Sequence, residues 1–482
     1  MTPSTQTFKS NATAALADAK LAKALSGLPS GLVAQRTAAK GRVPEFEALR
    51  NAARDIRDHT LAHLDLYLEA FAAKAEAAGS KVHWAVDAAE ARTIIARLAQ
   101  QRGVRRVAKG KSMVSEEIAL NEHLEALGMD VFESDLGEYL LQIRGETPSH
   151  IIAPAIHLSQ DQVEADFRKH HAQLDPNRIL GTPESLVAEA RTVLRQRFLD
   201  ADIGITGANF LIAETGSAVI VTNEGNGDLS AHLPKTHIVL ASIDKVVPTL
   251  VDLATLLRVL ARSATGQDMT AYTSLLTGPK AASDIDGPAE CHIVIVDNGR
   301  TDMLKAGLGE ALRCIRCGAC LNHCPIYNAI GGHAYGWVYA GPIGAVLSPA
   351  FLGIDAAGDL PSASTFCGKC EEVCPVKIPL TSLMRGWREK KLASGAGRRE
   401  RALLSAWAFF AERPKLYHLA ARFGIATLSA LGRSRGAFRR LPFAGRWTAT
   451  RDFPAPQRRT FQQLWAEHQH RREVPQVPKV PR

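Results

Sequence analysis

Eight cysteines in 482 residues are too few for a disulfide-stapled secreted scaffold. The opening stretch MTPSTQTFKSNATAALADAKLAKALSG holds no continuous apolar run, and no segment approaches the roughly 20 apolar residues that span a bilayer. A cytoplasmic protein with reduced thiols is therefore expected. No G-x-G-x-x-G follows a strand-like run, no Walker A loop occurs and no flavin fingerprint stands out, so the common nucleotide sites lack support. No nucleic-acid-binding fold motif accompanies the arginines either, and no nucleic acid partner is expected. At this length, with 46% hydrophobic residues, the chain has material for two or three domains with sizeable cores.

The cysteines that are present are grouped. CIRCGACLNHCP contains Cys314, Cys317, Cys320 and Cys324 followed by Pro325. Its spacing is that of bacterial two-cluster ferredoxins, in which three thiolates hold one cubane and the fourth reaches a second. About fifty residues on, STFCGKCEEVCP repeats the frame with Cys367, Cys370, Cys374 and Pro375, but Ser364 stands where a first cysteine is expected. Crossed ligation then predicts one four-thiolate site, Cys314, Cys317, Cys320 and Cys374, and one three-thiolate site, Cys324, Cys367 and Cys370. The second could hold a [4Fe–4S] cluster whose fourth iron takes Ser364, water or another group, or a [3Fe–4S] cluster. Zinc would call for two separated pairs of ligands; two runs in one frame, both ending in Cys-Pro, favour iron–sulfur. Cys291, in the apolar run AECHIVIVD, reads as a core residue.

From Val376 to Arg482 there are 23 Lys and Arg against 6 Asp and Glu, a net +17. The whole chain carries +9, so the first 375 residues are acidic, at −8. Arginines interleaved with Trp407, Phe409, Phe410, Trp447 and Trp465 suit an acidic partner subunit, an anionic membrane surface touched peripherally, or a solvated face. The Pro-rich end VPQVPKVPR is expected to be disordered.

Upstream, FEALRNAARDIRDHTLAHLDLYLEAFAAKAEAAG reads as one long amphipathic helix. VRRVAKG, MDVFES, HIIAPAIH, NFLIAETGSAVIVTN, KTHIVLAS and ECHIVIVDNG are predicted strands. They alternate with the predicted helices DAAEARTIIARLAQQRG, SEEIALNEHLEALG, PESLVAEARTVLRQRFL and TLVDLATLLRVLARS. That alternation implies an α/β domain on a largely parallel sheet. The expected organisation is a helical segment over 1–75, the α/β domain over 76–300, a two-cluster module over 301–395 and a basic helical region over 396–482.

Two stretches of the α/β domain have ligand-site chemistry with an ordinary alternative beside it. Asn223 to Asp228, after Glu214, Thr215, Gly216 and Ser217, is either a polar glycine loop that cradles an anion with its N–H groups or a hairpin-like turn. In KGKSMVSEEI, Lys109, Lys111 and Ser112 precede a helix in the order that captures anions, or form a solvated basic turn capped by Ser115. His170 and His171 read as surface residues.

The motifs CIRCGACLNHCPIY, GPIGAVLSP, CGKCEEVCPVKIP, GITGANFLIAETGSAVIVTNEGNGD and WTATRDFPAP together resemble the bacterial lactate-utilization protein B family over nearly the whole chain. The resemblance implies a NagB/RpiA/CoA-transferase-like α/β domain. After it would come an α-helical ferredoxin-like module similar to the iron–sulfur subunit of succinate dehydrogenase. It also implies two [4Fe–4S] clusters, and work with two partner proteins that oxidise L-lactate to pyruvate and pass electrons to an external acceptor. Electron counting narrows the role. Oxidising a 2-hydroxy acid removes two electrons and each cluster passes one, so a chain without a recognisable two-electron acceptor reads as the relay. The alternative is a group-transfer or ligand-binding enzyme whose clusters serve structure or sensing.

Overall fold

The structure is a computed structural model that describes residues 3–395, 398–432, 436–441, 445, 447–448 and 451–473. The Pro-rich 474–482 lies outside the described residues. Residues through Lys391 pack as one unit and those from Leu392 onward as a second.

The first unit contains ten strands: β1 (Lys81–Ala85), β2 (Arg106–Lys109), β3 (Asp130–Glu133), β4 (Ile203–Gly207), β5 (Phe210–Ile212), β6 (Ser217–Thr222), β7 (Thr236–Ser242), β8 (Val246–Val247), β9 (Tyr272–Leu276) and β10 (Glu290–Val296). Six form a wholly parallel sheet in the order β1-β10-β7-β4-β2-β3. Strand β7 is central and buried at every position, which is why THIVLAS is nearly continuous in apolar residues rather than alternating. Ile238 and Leu240 pack on one face beneath the helix Ala88–Gln100. Val239 and Ala241 face the other way, toward the helix Leu64–Ala77. The chain leaves β2 outward to β3 and returns to β4 on the opposite side of β2, so the strand order reverses there, and open α/β sheets form ligand crevices at such points.

A second, four-stranded sheet, β8-β5-β6-β9, was not anticipated. NFLIAETGSAVIVTN folds as the antiparallel β5–β6 hairpin of this sheet. Four further expectations are corrected. The long helix is two, Phe46–Ala62 and Leu64–Ala77, broken where His63 leaves helical geometry. SEEIALNEHLEALG is likewise divided at Ala119, at φ +53. HIIAPAIH is a turn rather than a strand: the Ile152 and Ala153 N–H groups both donate to His150 Nδ1 at 3.1 Å, replacing ladder bonds, and Pro154 has no N–H to give. His171 is buried, not a surface residue, because the helix Gln160–His170 ends just before it and turns the ring inward to Tyr139 Oη and Glu189 Oε1, each at 2.8 Å. Strands β1, β4, β8 and β9 were missed; the two glycines of IGITG dilute the strand signal of β4. Cys291 lies in the core as expected.

The cysteine-bearing segment is built of short helices, and its core is continuous with that of the N-terminal helices and the second sheet. Helix Phe46–Ala62 buries Phe46, Leu49, Arg50, Ala53, Arg57 and Thr60. Two arginines on a buried face need partners. Arg57 finds the carbonyls of Asp244, Val246 at 3.0 Å and Leu312 at 2.9 Å, from two separate segments. Arg50 donates through Nε and Nη2 to Cys374 O at 3.0 and 2.7 Å.

The second unit holds the helices Arg398–Ala411, Pro414–Gly432 and Phe461–Glu473 and a short antiparallel pair, Ala437–Phe438 with Phe453–Pro454. Trp407, Phe409, Phe410, Trp447 and Trp465 are all exposed, with Arg413 over the Phe409 ring and Arg451 over the Trp447 ring. No helix among the described residues is long and apolar enough to cross a membrane.

Candidate iron–sulfur centres and an adjoining cavity

The two cysteine runs have the same local backbone. Around Cys317, Arg316 and Gly318 have φ of +59° and +70°; around Cys367, Phe366 and Gly368 have +55° and +77°. The glycines take this conformation freely, whereas Arg316 and Phe366 hold it at a cost of about 1 kcal/mol each. Each loop leads into a short helix, Ala319–Asn322 or Lys369–Val373, and these helices pack on each other. The equivalence extends to the missing cysteine. Arg316 N donates to Cys314 Sγ at 3.4 Å, and Phe366 N donates to Ser364 Oγ at 3.1 Å. Ser364 thus makes the bond of the first cysteine with oxygen in place of sulfur. Past each fourth cysteine, Tyr327 N donates to Cys324 Sγ at 3.5 Å and Ile378 N to Cys374 Sγ at 3.4 Å.

Cys314, Cys317, Cys320 and Cys374 line one small cavity together with apolar residues that include Ile151 and Ile343. Burial pushes Cys317 up to about 12 and Cys374 up to about 11, and Cys320 well above its ordinary value. Thiols held this way keep their protons until a metal ion displaces them, and four cysteines lining one small cavity can serve as the donor set of an iron–sulfur cluster. Cys324, Cys367 and Cys370 gather beside them. Burial, then the charge of Cys324, pushes Cys370 up to about 12, and burial, with a contribution from Cys367, raises Cys324. Cys367 is exposed, and the Lys369 N–H holds its thiol below the usual range.

A larger cavity of about 320 Å³ adjoins the first set; Ile151 is common to both. It opens at the carboxyl ends of β2, β4 and β7 and is lined by Lys111, Ser112, Thr206, Asn223, Lys245 and Arg316, among others. Both stretches singled out in the α/β domain reach it, though not as read. Lys109 turns away into a carboxylate cluster, with Nζ 2.9 Å from Glu133 and 3.1 Å from Glu116. Lys111 Nζ donates to Ile152 O at 2.7 Å. The cap of the five-residue helix Met113–Glu117 is Ser112, not Ser115. The glycine loop enters the helix Asn226–His232 rather than a hairpin, and its Glu224 and Gly225 N–H groups already donate to Thr222 Oγ1 at 3.1 and 3.3 Å, so they form no free cradle. Glu214 to Ser217 make the β5–β6 turn, where Glu214 Oε2 accepts from Leu250 N at 2.9 Å.

The side chains that sequence reasoning missed are the buried charges beneath this cavity. Arg300 makes paired 2.9 Å bonds to Glu117 and a 2.8 Å bond from Nε to Asp244. Tyr339 Oη donates to Glu117 at 2.5 Å. Burial works against the charge of Asp244, yet Arg300 and Arg316 hold it ionised well below the usual carboxylate range. Burial pulls Lys245 down to about 8, with Arg316 adding to the effect. Arg50 and Arg57, seven apart on an otherwise apolar helix face, were the legible signal of this network; Lys245 and Arg316 left none.

Residues 68–296 match the LUD domain family, 310–378 the 4Fe-4S dicluster domain and 385–470 the family described as lactate utilisation protein B, C-terminal. A solved structure of a duf162 family protein from Deinococcus radiodurans covers 48% of this chain and 98% of its own at 17% identity, but its TM-score of 0.28 is too low to bear on the fold. The chain is 41% identical to lactate utilization protein B of Bacillus subtilis (strain 168) over 469 residues, 96% of this chain and 97% of that one. It is 42% identical to the protein of that name from Bacillus licheniformis over 468 residues, again 96% and 97%. The Macrococcus caseolyticus protein is 41% identical over 475, 97% and 98%. With an α/β parallel-sheet domain, a dicluster module and a helical C-terminal region in the same order, this chain belongs to the lactate utilization protein B family.

Proposed function

We propose that this chain is the iron–sulfur electron-transfer component of a multi-protein system that oxidises L-lactate to pyruvate. The observation that carries the reading is the pair of equivalent cysteine loops, whose two helices pack on each other and whose thiols form two adjacent groups. In this reading Cys314, Cys317, Cys320 and Cys374 hold one cluster and Cys324, Cys367 and Cys370, with Ser364 at the fourth corner, hold the other. Such clusters accept and release one electron at a time. The chain's own residues insulate the first group behind Ile151 and Ile343 and leave the second reachable at Cys367. Electrons enter or leave at that exposed edge. The names of the relatives support the lactate assignment.

The partners are two further lactate-utilization proteins and an external acceptor, and the net +17 of residues 376–482 with its exposed aromatics suits docking to an acidic partner. Removing residues 401–482 is expected to leave both clusters bound while weakening the complex, and the intact complex is expected to loosen as salt rises.

The function is tested by rapid mixing with L-lactate, following cluster absorbance and pyruvate together. The isolated chain is expected to stay unbleached; the assembled complex is expected to bleach and release pyruvate, and Cys317→Ala to block onward flow. Bleaching of the isolated chain would put the chemistry in this subunit. No bleaching in the complex would end the relay reading and favour a group-transfer enzyme.

A further inference from the structure

The cavity beside the first cysteine group is lined by two cations that make no close ion pair, although the charges of Asp244 and Cys314 favour both. Lys245 is 8% exposed, and among the described residues its Nζ has no hydrogen bond and no carboxylate within ion-pairing distance. Arg316 is 9% exposed; its Nη1 is buried without a partner, and its nearest carboxylate, Asp244, lies 4.0 Å from Nη2. The guanidinium instead sits over the Tyr339 ring, 4.9 Å from the centroid. An isolated buried cation is costly unless something pairs with it. Two such groups, lining one cavity with Lys111 as a third cation, form a built site for a negative charge.

The carboxylates on the rim do not fill that role. Asp135 Oδ1 accepts from Glu138 N at 3.1 Å, and Glu224 is exposed. The lining also includes the apolar side chains of Met113, Ile151 and Val221. The cavity also opens at the carboxyl ends of the central strands, where β2 and β4 diverge in chain order, the usual crevice of an open α/β sheet.

We infer that this cavity binds an oxyanionic small molecule, a carboxylate or phosphate with an apolar portion, against Lys245, Arg316 and Lys111. The oxyanion takes the free Nζ and Nη1 and the apolar portion rests on Met113, Ile151 and Val221. Because Arg316 stands between Cys314 and Cys317, the ligand is one side chain from the first cysteine group. Its negative charge opposes reduction there, and reduction weakens its binding by the same factor. The inference does not rest on the relay assignment, since a relay without this site and a site without relay activity are both possible outcomes of the measurements.

The test is calorimetric titration of the oxidised, cluster-loaded full chain with L-lactate, pyruvate and inorganic phosphate in separate runs. At least one is expected to bind saturably; preference for the two organic acids over phosphate identifies a carboxylate site, and the reverse a phosphate site. Lys245→Met is expected to weaken binding tenfold or more with unchanged cluster absorbance and a melting temperature no lower than wild type, since it removes an unpaired buried charge. Lys245→Arg is expected to retain binding. Lys111→Met, whose ammonium is shared with Ile152 O, is expected to weaken it less and stands in should Lys245→Met fail to fold. The bound anion is also expected to lower the reduction potential of the first cluster. Absence of saturable binding by all three anions, or binding unaltered in both methionine variants, would overturn the inference.

Discussion

The two cysteine groups share a backbone and differ in almost everything around it. The first has four thiols around one small cavity, with Arg50 bonded to the Cys374 carbonyl and Arg36 Nη2 donating to Val373 O at 2.8 Å. The second has three, one of them exposed, and the loop that supplies two of them carries Ser364 where the other loop has its first cysteine. The local loop is therefore enough to arrange ligands, while the packing decides how a site behaves. Largely buried and close to several arginines, the first suits a stable charge store; the second, exposed at Cys367, suits exchange.

The comparison is broken most directly by removing thiols. Cys374→Ala is expected to eliminate the same cluster as Cys314→Ala, and Cys324→Ala the one lost in Cys367→Ala, as read by Mössbauer spectra and iron content. Shared loss in Cys320 and Cys324 variants would show that the groups are drawn wrongly.

Ser364→Cys is expected to make the groups alike. A serine oxygen is a harder ligand than thiolate, so mild oxidation of the wild type is expected to give a [3Fe–4S] electron paramagnetic resonance signal from one cluster, and the substitution to suppress it. Equal lability of both clusters in both proteins would remove any special role for Ser364.

Acid is expected to act on the first side. His150 is buried behind Gly318, with Nε2 2.9 Å from Asn322 Oδ1 and Nδ1 accepting two N–H groups. Burial, and then the charge of Lys111, lower it from 6.5 to about 4. Unfolded, the ring takes up a proton near pH 6.5; folded, near 4. Stability is therefore complete above about 6.5 and falls as pH drops toward 4, by about 3 kcal/mol. Denaturant melts at pH 7 and 5 are expected to show the loss, and His150→Gln to reduce it. His237, lowered to about 3 by burial and then His232, adds a similar slope away from the cysteines, so the His150 variant is expected to flatten only part of the dependence.

The smallest effect sharpens the electrostatic half of the comparison. The charge of Arg36 acts on Cys317 and Cys374, and a nearby cation favours the reduced cluster. Arg36→Met is expected to lower the first cluster's potential by on the order of 50 mV, leaving the second unmoved in a redox titration. A shift in both, or in neither, would deny the first group its separate field.

What could be read from the sequence alone was local. Cysteine spacing, the proline after each run, and the serine out of frame concern residues within a dozen positions, and their geometry follows from the loop itself. The short apolar run of THIVLAS and the period-3.6 pattern of PESLVAEARTVLRQRFL reported the sheet and a helix for the same reason. HIIAPAIH deceived because its apolar residues are there to cover a cysteine cavity, and burial without a strand leaves the same apolar trace. The cavity was a tertiary decision. Lys111 follows β2, Lys245 follows β7 and Arg316 lies inside a cysteine loop, and only the strand order and the packing of the cysteine segment on the sheet bring them together. A cation left without a partner differs from a solvated one by what surrounds it, and no periodicity in the chain encodes that.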